Sequence, residues 1–126
     1  MTIEENLPER FKTAAFHPSL FTYAWKRNTL DKLFEEFLQS NIAILSGEAW
    51  VASGELMQGV IPLQKGGKAV LNWKIKREVG EEWYDFVERS MKETLSVIAD
   101  ADLEKKVSQS VKNRLYYHFD LAEESI

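Results

Sequence analysis

Few residues in this chain are of types that do chemistry, and their spacing narrows them further. There are two histidines, His17 and His118. His17 precedes Pro18, a turn setting that suits a solvent-facing or capping imidazole. His118 stands two residues before Asp120 in the aromatic run Tyr116-Tyr117-His118-Phe119-Asp120. On a strand, residues two apart share a face. The pair can therefore orient an imidazole as a general base, or lend two ligands to a metal. A metal centre needs three or four ligands, and the chain has no cysteine and no second cluster. Neither a metal nor a cofactor is expected. The plainer expectation for His118 is a histidine beside an aspartate on a wet face.

Glu48 has the most distinctive setting of the carboxylates, between Gly47 and Trp50 on an otherwise apolar strand. A carboxyl held against an indole in a pocket can act as an acid. It can equally face a cation across a sheet, and Lys74 is a candidate. Ser46-Gly47 and Ser53-Gly54 read as turn residues, and no Gly-x-Ser-x-Gly occurs. Gly66-Gly67-Lys68 lacks both the glycine spacing and the following Ser/Thr of a phosphate loop. Lys74, Lys76 and Arg77 lie among aromatics, as a single-strand nucleic-acid surface requires. Three cations in a chain of net charge −4 are too few, so nucleic acid is not an expected partner. No residue set predicts catalysis.

These candidates must be held by ordinary elements. The chain has 126 residues, enough for one domain, residues 1–126, with a core that folds without staples. Without cysteine, disulfides and thiolate chemistry are excluded. The polar start Met1-Thr2-Ile3-Glu4-Glu5-Asn6 does not read as a signal peptide, and no apolar run suits a membrane span. The cytoplasm is the default location. Residues 81–126 hold eleven acidic against six basic residues, a balance that suits solubility and a basic partner.

Leu30, Leu33, Phe34, Phe37 and Leu38 recur at helical spacing and predict a helix over about 29–39, capped by Asn28 or Thr29 and stopped at Ser40-Asn41. Trp83, Phe86, Val87, Ser90, Met91, Thr94, Leu95 and Ile98 predict a second over about 81–99. Between them, about 42–76 reads as a meander: Ile42–Leu45 and Glu48–Ala52 around a bulge or turn at Ser46-Gly47, then Leu56–Leu63, then Lys68–Lys76. In the last, Ala69, Leu71, Trp73 and Ile75 alternate with polar residues, the pattern of a half-buried antiparallel strand. A third helix over about 103–113 precedes 114–121, which reads as a strand by alternation, although a four-residue spacing also fits one long helix. A short helical turn after Pro8 and the aromatic stretch within 11–25 are expected to cover an edge of the core.

The segments Gly47-Glu48-Ala49-Trp50-Val51, Gly59-Val60-Ile61-Pro62 and Glu81-Glu82-Trp83-Tyr84-Asp85-Phe86-Val87-Glu88-Arg89-Ser90, with Thr94-Leu95, share a further feature. Together they make Leu45–Ile98 resemble small predicted immunity proteins of bacterial polymorphic-toxin systems. The resemblance implies a non-enzymatic binder that blocks a toxin domain. The expected architecture is α+β: an antiparallel sheet of three to four strands with helices 29–39 and 81–99 on one face. Trp50, Val70, Asn72 and Lys74 fall on the other face, where an exposed tryptophan makes a binding anchor. The expected binding residues are Glu48, Trp50, Asn72, Lys74 and His118, and the expected partner is another protein. Two alternatives stay open. One is a small-molecule-binding protein or enzyme with Glu48 and His118 in a pocket between sheet and helices. The other is a homo-oligomeric assembly subunit joined through an exposed sheet edge.

Overall fold

Apolar residues at helical spacing and an alternating strand meet here across one sheet. The computed structural model describes residues 2–19, 22–54 and 56–124. A 3-10 turn (Glu4–Asn6) and α1 (Glu9–Ala14) lead into the hairpin β1 (Phe16–Ser19) and β2 (Thr22–Trp25). Then follow α2 (Leu30–Gln39), β3 (Ala43–Ser53), β4 (Leu56–Gln58), β5 (Ile61–Pro62), β6 (Lys68–Ala69) and β7 (Asn72–Lys74). The chain continues through α3 (Trp83–Ala101), α4 (Leu103–Lys106), α5 (Gln109–Lys112) and β8 (Leu115–Ala122).

The fold is α+β. Its main sheet runs β1-β2-β8-β3, all antiparallel. The far edge of β3 is shared: β7 pairs with Ser46–Glu48 and β4 with Val51–Ser53. Among the described residues this sheet has six strands, more than the expected three or four, because β8 enters between β2 and β3 and brings the N-terminal hairpin with it. β5 and β6 form a separate two-stranded ribbon across the Gly66-Gly67 turn, where both glycines have positive φ.

Several boundaries differ from the sequence reading. The runs 42–45 and 48–52 join into one strand, β3, and the register shift lies between Ile44 and Ser46. The stretch 56–63 divides at Gly59-Val60 into β4 and β5, and 68–76 divides into β6 and β7. Thr29 does not cap α2 by its side chain. It already has helical φ and ψ, and a 3-10 turn (Arg27–Thr29) feeds the helix instead. The expected helix at 103–113 breaks at Val107, which is extended, and Ser108 then caps α5 by accepting the Val111 N–H. Asn41 ends α2 with φ 56, in the left-handed region. In the aromatic stretch, Leu20 and Phe21 lie outside the described residues. The Trp25 indole N–H donates to the Phe11 carbonyl at 2.8 Å, tying α1 to the hairpin.

The helices α2 and α3 cover one face of the sheet, as the apolar stripes require. The space between holds Trp25, Leu33, Phe37, Phe86 and Phe119, each at most 1% exposed. These side chains fill the centre of the layer, and a cleft lined by Leu45, Lys74, Ile75, Trp83 and Phe86 opens at its edge, between the sheet and α3. Burying the central side chains drives the fold, at roughly 1.5–3 kcal/mol for each large apolar group.

Two polar groups on the inner stripe of α3 are fully buried and both have partners. Ser90 Oγ accepts the Ile44 backbone N–H at 3.1 Å and donates to the Val87 carbonyl at 2.8 Å. Thr94 Oγ1 accepts the Trp73 indole N–H at 3.1 Å. Trp73 in turn lies over Gly47 of β3. Replacing Thr94 by valine keeps the shape and strands the indole N–H, so unfolding in urea should show a loss of about 1–3 kcal/mol. A midpoint unchanged from the parent protein would mean that the bond contributes nothing.

Candidate functional site

Alternation along the strands decides what reaches the uncovered face. Gly47, Ala49 and Val51 of β3 point into the core, so Ser46, Glu48 and Trp50 point away from it. On β8, Leu115, Tyr117 and Phe119 are buried, which turns Tyr116, His118 and Asp120 outward. Trp73 of β7 is buried and its neighbours Asn72 and Lys74 are exposed. Pairing then sets these residues side by side. Glu48 is opposite His118 on one flank and Asn72 on the other. Ser46 is likewise opposite Asp120 and Lys74. Glu48, Trp50, Asn72, Lys74 and His118 thus share one face, and all except Trp50 line one cleft of about 340 Å³. Trp50 borders it by stacking on His118, ring centroids 4.7 Å apart and planes 9° from parallel.

The cleft adds two groups to the expected set, Ser46 and Asp120. The Ser46 hydroxyl donates to Asp120 Oδ2 at 2.6 Å. His118 Nε2 lies 3.7 Å from Asp120 Oδ1, and its Nδ1–H donates to the Tyr23 carbonyl at 3.0 Å. The serine is therefore engaged by the aspartate, not by the imidazole. The His-x-Asp alternation was the sequence signal for Asp120. Ser46 had none, because its role depends on a strand more than seventy positions away. Around this rigid group, Glu48, Asn72 and Lys74 make no side-chain hydrogen bond or ion pair among the described residues, and neither does the Trp50 indole N–H.

Aromatic packing extends the face past Trp50. Phe16 meets Tyr116 at 5.2 Å, and Lys26 Nζ lies 5.7 Å above the Tyr116 ring. Val70, two residues before Asn72, is 64% exposed. The Glu4 carboxyl is part-buried, and burial raises its pKa. The field of Asp120 pushes the same way and that of His118 opposes it. Tyr117, on the core side, is pushed up to about 12, chiefly by burial, so it stays protonated at neutral pH. Among the described residues no three His, Asp or Glu side chains converge to hold a metal ion, and no helix is long and apolar enough to cross a membrane.

A model of the protein family described as immunity protein 40 matches residues 17–119. The chain belongs to that family. No curated protein and no solved structure matches the chain. The immunity protein 40 match runs from β1 to Phe119 within β8, well beyond the stretch 45–98 on which the sequence resemblance rests. It takes in α2, α3 and five of the face residues, Glu48, Trp50, Asn72, Lys74 and His118, and stops one residue short of Asp120.

The connection from β7 to α3 is held by two arginines, Arg89 and Arg77, whose Nε–H donates to the Glu81 carbonyl at 2.9 Å. Arg89 donates to the Lys76 carbonyl at 2.8 Å and to both oxygens of Glu81 at 2.8 Å, while Glu81 Oε1 also accepts the Glu78 N–H at 3.0 Å. These bonds lower the Glu81 pKa to about 2, the Arg89 hydrogen bond first among them. A carboxylate depressed in this way stabilises the fold fully above its unfolded pKa, and the effect fades as pH falls from about 4.5 to about 2. Urea unfolding followed from about pH 5 down to about pH 2 should therefore show stability lost across that window. Glu81→Gln should remove the dependence.

Proposed function

We propose that this member of the immunity protein 40 family neutralises a toxin domain by binding it through the uncovered sheet face, without catalysis. The observation that carries the reading is a group of unpartnered polar side chains, Glu48, Asn72 and Lys74, set around the stacked Trp50–His118 pair. Interfaces favour a buried aromatic anchor surrounded by polar groups that find their partners on binding. Glu48, Trp50, Asn72, Lys74 and His118 are the proposed contact residues. The net charge of −4 fits a basic partner, and the setting is the cytoplasm of a bacterium that makes the toxin.

The small-molecule reading has one observation in its favour: Glu48 and His118 line the same cleft. In that cleft the Ser46 hydroxyl is engaged by Asp120 and not by the His118 imidazole, an arrangement that favours binding over chemistry.

The test is complex formation with the toxin domain encoded beside this gene. A 1:1 complex is expected, with an association rate that falls as salt is raised, because opposite charges steer the encounter. Failure of the purified protein to bind any such neighbour would remove the reading. Retained toxin inhibition with face variants that no longer bind would do the same.

A further inference from the structure

We infer that the cleft beside Trp50 is a socket for one arginine side chain of the partner, held by Glu48 and stacked against the aromatic pair. This rests on the reading of the face as a toxin-binding surface and adds the chemistry of the residue that enters it.

Among the described residues the Glu48 side chain makes no hydrogen bond or ion pair, although Asn72 and His118 flank it on the two neighbouring strands. A part-buried carboxylate without a partner gains most from a cationic donor brought in from outside. The second carboxylate, Asp120, is fixed in place by the Ser46 hydroxyl, so it faces the cleft with its orientation already set. Among the residues that line the cleft, these two carboxylates face one permanent cation, Lys74. The balance is negative, so the occupant is a cation. Lys74 also limits it to one: a polybasic segment would meet the lysine.

Arginine fits better than lysine for two reasons. Trp50 covers one face of the His118 ring, and His118 lines the cleft opposite Glu48, where a planar guanidinium stacks on the imidazole. Its paired N–H groups also match the two oxygens of a carboxylate, whereas an ammonium acts as a point charge.

The probe is N-acetyl-arginine methylamide, titrated into the full chain and followed by the Trp50 indole N–H and the Glu48 and His118 amide signals. Saturable shifts confined to this face are expected. The citrulline derivative, of the same shape without charge, should bind about tenfold more weakly, and the lysine derivative should fall between the two. Glu48→Gln should lose the response while the rest of the spectrum stays that of the folded protein. Equal responses to arginine and citrulline, no saturation, or a Glu48→Gln response like the parent's would each overturn the assignment. Toxin mapping separates the two claims. If arginine binds here and the toxin docks elsewhere, the proposed function fails and the socket stands. If the toxin covers this face and arginine does not bind, the socket alone fails.

Discussion

Replacing Gly47 with alanine is expected to destabilise the protein by about 3 kcal/mol, the upper end of the range for overpacked cores. A Cβ at this position would lie 2.6 Å from Trp73 Cε2 and 2.8 Å from Cη2, far inside van der Waals contact. The ring has little freedom to retreat. Its N–H is held by Thr94 at 3.1 Å, and its far side meets Phe119, ring centroids 6.3 Å apart. Moving it would strand a buried donor, and leaving it would force β3 outward. Either response reaches the uncovered face, because Glu48 follows Gly47 directly. Thermal unfolding should drop by roughly 10 °C for a chain of this size. Gly59→Ala is the matched control: nothing lies within 4 Å of its added methyl, and its change should stay within about 0.5 kcal/mol. Combining Gly47→Ala with Trp73→Phe, which shortens the ring, should recover part of the loss. Full additivity of the two changes would show that the clash is not their common cause.

Trp50→Ala carries the largest expected effect on binding. Under the proposed function it should weaken the toxin complex by about 2–4 kcal/mol, roughly thirty- to a thousandfold in Kd. The fold should suffer less, since Trp50 lies outside the helix-covered core and loses mainly its stack on His118, worth about 1 kcal/mol. The split between the two readouts is the test. Binding measured by calorimetry should collapse while the unfolding midpoint moves little, and Trp50→Phe should keep an intermediate affinity. Val79→Ala, on a fully exposed loop tip away from this face, should leave the complex unchanged. If Trp50→Ala binds as the parent does, the face is not the interface.

Local patterns and long-range pairing were unequally legible in the sequence. The stripes of α2 and α3 read directly, since each is a repeat within one helix. Ser90 and Thr94 stood on the apolar stripe of α3, and polar residues in that position signal buried partners; their identities, Ile44 and Trp73, lay on distant strands. Glu48 and Trp50 could be assigned to one face by alternation, and so could His118 with Asp120. That the two sets meet is a matter of register between β3 and β8, set by strands far apart in sequence and without a local turn to fix it. The same limit hid the insertion of β8 beside β2 and the pairing of both β4 and β7 with one edge of β3. The expected caps failed for a local reason, because 3-10 geometry at Arg27–Thr29 competes with a capped start.

The place of β8 in the middle of the sheet also has a consequence in time. The hairpin β1–β2 leaves the ribosome with its inner edge unpaired, and β3 emerges with one flank open. Neither can be completed until β8 is synthesised. About 90 residues separate Trp25 from Leu115, so at about 5–20 residues per second the wait is roughly 5–18 s. During that interval two strand edges are exposed to chaperones, proteases and each other. A chain cut short before Leu115 is thus not a trimmed version of the protein. It is two fragments of a sheet that lack the strand between them, and an uncovered face that lacks His118.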